Sequence, residues 1–164
     1  MAVRRRPVLG WLIASLVLLS GVAVAEDHLL VVRNPAVGGD RGEIRFNRAD
    51  LEAMEWRTIE TGNQFISGKS VFRGPLVMDA VSLIGHAGAT KVRLIAANEY
   101  FSEIEIAEIQ RYGAILAMEM NGDALSLRDF GPIWVMYPID DHSELRDSVF
   151  NNRLIWQLEA IELF

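Results

Sequence analysis

The chain has 164 residues, 16 basic against 22 acidic side chains, a formal net charge of −6 and no cysteine. That acidic balance argues against nucleic acid as a partner, because phosphate binding needs a basic face. Without cysteine there are no disulfide staples, so stability rests on a hydrophobic core, which this length and 51% apolar residues can supply.

Arg4-Arg5-Arg6, the apolar run from Val8 to Val24 and the small residues of Ala23-Val24-Ala25 read as a signal peptide over 1–25, cleaved before Glu26. An uncleaved anchor is the alternative, since the run sits at the low edge of a spanning length. The paired arginines raise a twin-arginine route, but Pro7-Val8-Leu9 follows them and no Ser or Thr precedes. The predicted mature domain is 26–164, periplasmic or secreted, with no stable membrane span after cleavage. Losing three arginines leaves 13 basic against 22 acidic side chains, a net charge near −9.

His28 to Arg33 predicts a strand that stops at Asn34-Pro35, Gly38 to Gly42 a loop, and Glu43 to Phe46 a second strand. Asn47 suits the cap of a brief helix with Asp50 and Glu52 in its first turn. Trp56 to Thr61 alternates bulky and polar residues as a half-buried strand does, and Ser70 to Arg73 follows a loop. Pro75 suits a helix N1 position, with Leu76, Ala80, Leu83 and Ile84 at helical spacing and an end at Gly85 to Gly88. Lys91 to Ala97 and Ser102 to Ile106 predict strands, and Glu108 to Tyr112 a turn or short helix.

Ala114 to Met120 runs into Asn121-Gly122-Asp123, a hairpin signal because Asn and Gly tolerate positive φ. Ile133 to Tyr137 and Ile155 to Leu163 are the last two strands. The tally is about eight strands and two or three short helices, a β-rich α+β domain.

Over roughly Glu43 to Leu163 an ordered series of motifs stands out. A Thr-containing strand precedes Phe72-Arg73-Gly74-Pro75-Leu76, and a strand ends in Ala97-Asn98-Glu99-Tyr100. A Gly-containing hairpin then leads to Gly131-Pro132-Ile133-Trp134-Val135-Met136-Tyr137-Pro138, and Arg153 and Trp156 open the last strand. This series resembles the oxidoreductase molybdopterin-binding domain, the fold of sulfite oxidases and their bacterial relatives. The resemblance implies a single sulfite-oxidase-like domain and a pterin pocket. In that family a cysteine thiolate holds molybdenum from the strand before the Phe-x-Gly-Pro-Leu helix. Here Thr58 falls nearest that place, and a neutral hydroxyl is a poor ligand where soft metals select sulfur.

Arg73, Arg128 and Arg153 match the family's basic positions most nearly, as partners for a pterin phosphate. Asn98 and Tyr100 resemble its Asp-Gly-Tyr pocket segment, with Asn98 for the aspartate and Glu99 for the glycine. Molybdopterin is thus the implied cofactor, without molybdenum. The expected function is an envelope module that binds a ligand or a membrane or periplasmic protein without redox chemistry. A true molybdopterin-dependent oxidoreductase working with a separate electron-transfer partner is the alternative, and a structural domain without ligand the third reading.

Other constellations carry less. His28, His86 and His142 lack metal-site spacing. Asp140-Asp141-His142-Ser143-Glu144 reads as a solvated loop in which Ser143 caps a short helix, with calcium binding as the sharper option. No Gly-x-Ser-x-Gly elbow supports a serine nucleophile. Trp134, Tyr137 and Trp156 read as strand core. Glu103, Glu105 and Glu108 read as a solvent face or the footprint of a cationic partner.

Overall fold

The computed structural model describes residues 28–164 apart from residue 87, so the leader read over 1–25 lies outside the described residues. The strands are β1 (Leu30–Arg33), β2 (Glu43–Phe46), β3 (Trp56–Gly62), β4 (Lys69–Pro75), β5 (Lys91–Ala96) and β6 (Phe101–Glu105). They continue as β7 (Ile115–Ala117), β8 (Glu119–Met120), β9 (Asp123–Ala124), β10 (Trp134–Met136) and β11 (Leu158–Leu163). The helices α1 (Arg48–Glu52), α2 (Val77–Ile84), α3 (Ile106–Tyr112) and α4 (Ser148–Asn151) are short, with 3-10 turns at Gly39–Gly42 and Ser143–Arg146.

Three sheets share one core. A five-stranded sheet runs β2-β1-β11-β5-β6, antiparallel except for the parallel β1–β11 pair. A four-stranded antiparallel sheet runs β3-β4-β8-β9, and β7 pairs with β10 between them. Alternation sets the inner face of the large sheet: Leu30, Val32, Val92, Leu94 and Ile161 are buried. Together with α2 and α3 they close a single β-rich α+β domain.

The outer face of that sheet carries a charge ladder. Glu43, Arg33, Glu162, Arg93 and Glu103 lie in register across β2, β1, β11, β5 and β6, alternating in sign. Their closest N–O distances are 2.8, 3.6, 3.9 and 2.6 Å in that order. Opposite charges facing each other across strands fix register more than they stabilise, since exposed pairs are each worth less than about 1 kcal/mol. The Glu43 carboxyl is held below its ordinary range by Arg33 and Arg45.

Several local expectations hold. Asn47 caps α1 in a reciprocal capping box with Asp50. Asn121 and Gly122 both take positive φ, 55° and 91°, between β8 and β9.

Others are corrected. Pro75 is not at a helix N1 position; it ends β4 opposite Trp56, and α2 starts at Val77 after Leu76. The helix therefore buries Val77, Ala80, Val81 and Ile84, while Leu83 is exposed. Ser143 does not cap a helix; it begins the 3-10 turn Ser143–Arg146. The run from Ala114 breaks at Met118, with β7 pairing β10 and β8 pairing β4. The last strand begins at Leu158 because Gln157 takes φ 51°, and Trp156 bridges Trp134 instead.

Gly74 is where two of these sheets touch. A Cβ there would lie 1.8 Å from the Leu116 carbonyl oxygen on β7, a backbone atom that cannot rotate away. Gly74→Ala is expected to cost about 3 kcal/mol or more by forcing β4 off β7. Urea unfolding of the two proteins measures it, and a loss under about 1 kcal/mol would show that the contact relaxes.

Candidate functional site

A pocket of about 300 Å³ opens where three segments meet: the β3–β4 loop, the turn after β5 and the stretch from α4 to β11. Its floor is Ala96, Leu154 and Ile155, all buried. Phe65, Tyr100 and Trp156 form its aromatic walls, and the carboxamides of Gln64, Asn98, Asn151 and Asn152 complete the lining. Among the described residues no carboxylate, ammonium, guanidinium or imidazole lines it.

The walls are extensions of the core. Phe65 meets Trp156 edge-on, centroids 4.8 Å apart at 79°, and Phe130 stacks on Trp134 at 4.3 Å. Phe72 meets Trp134 edge-on at 5.5 Å, and Phe130 reaches Trp156 at 5.8 Å. Fully buried Trp134 donates its indole N–H to the Leu154 carbonyl at 3.1 Å, which ties β10 to the pocket floor.

The loop bearing Gln64 and Phe65 is fastened from below. Asn63 accepts from the Phe65 N–H at 2.8 Å, closing an Asx turn. At the base of the hairpin, Asp140 accepts from the Gly62 N–H at 3.1 Å and faces the Lys69 ammonium at 3.0 Å. Thr61 returns the contact, accepting from the Asp140 N–H at 3.1 Å. On the facing side, Asn98 accepts from the Tyr100 N–H at 3.1 Å around Glu99, whose φ is 66°.

The structure brings two of the six residues singled out by sequence, Asn98 and Tyr100, into this pocket. The other four lie elsewhere. Thr58 is exposed on β3, opposite Arg73 in register. Arg73 pairs with Glu119 at 2.8 Å and lies over Trp56. Arg128 is exposed, its N–H donating to the Ser126 hydroxyl. Arg153 turns into the protein against Glu108, in a two-pronged contact of 2.7 and 3.0 Å beneath the Phe150 ring. The Tyr137 hydroxyl is buried beside them; burial, then the Glu108 carboxylate, pushes that phenol far above its ordinary range.

As a donor set for a molybdenum pterin group the lining does not fit. It offers no thiolate for the metal and no cation for a pterin phosphate. Among the described residues no group of three or more His, Asp or Glu side chains is placed to hold a metal ion, and no helix is long and apolar enough to cross a membrane. Of the three glutamates that read as a solvent face or a cationic footprint, Glu103 and Glu105 are exposed and pair with Arg93 and Lys91 of the same chain, while Glu108 is half-buried against Arg153.

Sequence reasoning missed Gln64, Phe65, Asn151 and Asn152. The available signal was an Asn-Asn pair ahead of Trp156 and a Gln-Phe pair in the β3–β4 loop, and neither has a spacing rule. No family model matches the chain, and no curated protein matches it.

Two predictions follow from the way the site is held. The Asp140 carboxyl lies below its ordinary value of 3.8, through Lys69 first and the Gly62 N–H second. Its contribution to stability is complete above that value and is lost as pH falls through the lower folded-state value. Asp140→Asn should therefore flatten the acid limb of the stability curve below about pH 4, read as Tm against pH. Arg153→Ala strands the Glu108 carboxylate and should cost about 2 kcal/mol in chemical denaturation, less than a fully buried pair because both side chains retain some exposure.

Proposed function

We propose that this chain is an exported cell-envelope module that keeps a sulfite-oxidase-like, molybdopterin-binding-type scaffold and binds a ligand or a periplasmic or membrane partner without redox chemistry. The single observation that carries the reading is the composition of the pocket. Where a metal enzyme of this kind needs sulfur and cations, this pocket offers aromatic rings, aliphatic side chains and carboxamides. Such a lining suits capture: apolar surface supplies affinity, and a few placed polar groups orient what enters.

Three further points support it. The chain has no cysteine to act as a thiolate. Thr58, nearest the ligand's place in the motif series, is exposed and is not among the residues of the pocket lining. Arg73 and Arg153 are each engaged by a carboxylate of the same chain. The leader over 1–25 supports export and rests on sequence alone.

Metal and pterin analysis tests the reading. Protein exported from a host that makes the molybdenum cofactor should carry molybdenum far below one atom per chain. A near-stoichiometric molybdenum content with bound pterin would make it an oxidoreductase and end the module reading.

A further inference from the structure

We infer that the Trp156 pocket takes a neutral sugar ring. This rests on the module reading above and names its ligand. A sugar ring has one face of C–H groups and a perimeter of hydroxyls. The pocket presents the complement of that shape: an apolar floor and aromatic wall below, carboxamides above.

The polar groups match hydroxyls in kind. Each carboxamide offers an acceptor oxygen and a two-donor nitrogen, and each hydroxyl is both donor and acceptor. The side chains of Gln64, Asn151 and Asn152 make no hydrogen bond to another described residue, so that capacity is not spent inside the protein. Gln64, Asn98 and Asn152 are exposed, while Leu154 and Ile155 are buried, which places the polar groups at the mouth and the apolar ones beneath.

Charge and ring geometry narrow the class. With no cation among the described residues of the lining and an acidic chain around it, a uronate or a sugar phosphate would enter without a countercharge. A flat heterocycle is best held between two parallel faces. Here Phe65 and Trp156 are 79° apart and form no such clamp. One half-buried indole is instead a platform for the C–H face of a puckered ring.

Two of the four described non-glycine residues with positive φ adjoin the pocket lining. Glu99 and Gln157 have φ of 66° and 51°, costly for side-chain-bearing residues, and they adjoin Tyr100 and Trp156. Such strain persists where the surroundings fix it, and ligand clamps are one setting in which it recurs.

Saturation-transfer NMR on the exported protein tests this with glucose, galactose and N-acetylglucosamine, alongside glucuronic acid and adenosine. The expected result is transfer to ring C–H protons of at least one neutral sugar and none to glucuronic acid. That signal should fall at least five-fold in Trp156→Leu and in Tyr100→Ala, with Tyr100→Ala, at an exposed site, decisive if the first variant misfolds. No transfer to any of the three sugars, stronger transfer to adenosine, or equal signals in a folded variant would overturn the inference. These outcomes are separable from the parent reading: a sugar-blind protein without molybdenum remains a module, whereas stoichiometric molybdenum removes the module whatever the sugars do.

Discussion

The hydrogen bond from the Trp134 indole to the Leu154 carbonyl is the contact on which the rest of the architecture turns. Trp134 sits fully buried on β10, stacked on Phe130 and met edge-on by Phe72 from β4. Through that bond and the Trp134–Trp156 bridge, the central pair of strands holds the segment entering β11. The chain can then leave Trp156 at the small sheet, turn at Gln157 and join the large one at Leu158. One ring thus couples the core to the pocket wall. A buried indole N–H without its acceptor would cost about 1–3 kcal/mol, so the position of Leu154 is fixed as firmly as the core itself.

A pocket built this way is rigid at its floor and adaptable at its mouth. Leu154, Ile155 and Ala96 belong to the packed interior, where small displacements are resisted. The carboxamides stand on loops, turns and the end of α4; Asn98 is held by its bond to the Tyr100 N–H, and the loop of Gln64 by that of Asn63 to the Phe65 N–H. Asp140 anchors the hairpin beneath Phe65, which gives an acidic residue outside the lining a structural share in the site. The same residue stood in a cluster that the sequence offered as a loop or a calcium site. Its bonds to Gly62 and Lys69 explain its place without an ion.

The legible part of this fold was the part governed by short-range rules. Alternation gave β5 and β6 nearly to the residue, a β-prone run stopped at Asn34-Pro35 gave β1, the Asn47 cap gave α1, and Asn121-Gly122 gave its hairpin. What failed did so where tertiary contacts override local preference. Pro75 has the right chemistry for a helix start, yet Gly74 must lie against Leu116, and the strand therefore continues through Pro75 to reach Trp56. Trp156 reads as core because it falls inside a predicted strand; in the structure it precedes β11, bridges Trp134 and lines the pocket. Asn98 and Tyr100 were singled out through the motif resemblance and lie two residues apart in one turn, whereas their partners Gln64, Phe65, Asn151 and Asn152 come from segments brought near only by folding.

Charge decides how the basic residues should be weighed. In a chain with more acids than bases, an arginine has an internal carboxylate within easy reach, and four of them show it. Arg33 and Arg93 are spent on a ladder across five strands, Arg73 on Glu119, and Arg153 on a half-buried Glu108. Redirecting Arg153 towards a pocket anion would leave Glu108 uncompensated beside the Tyr137 phenol, an arrangement costlier than the bond gained. Recruitment of a phosphate would therefore have to be worth more than the pair it breaks. A neutral ligand asks for no such exchange, and this asymmetry is why the carboxamides, and not the arginines, define what the pocket can hold.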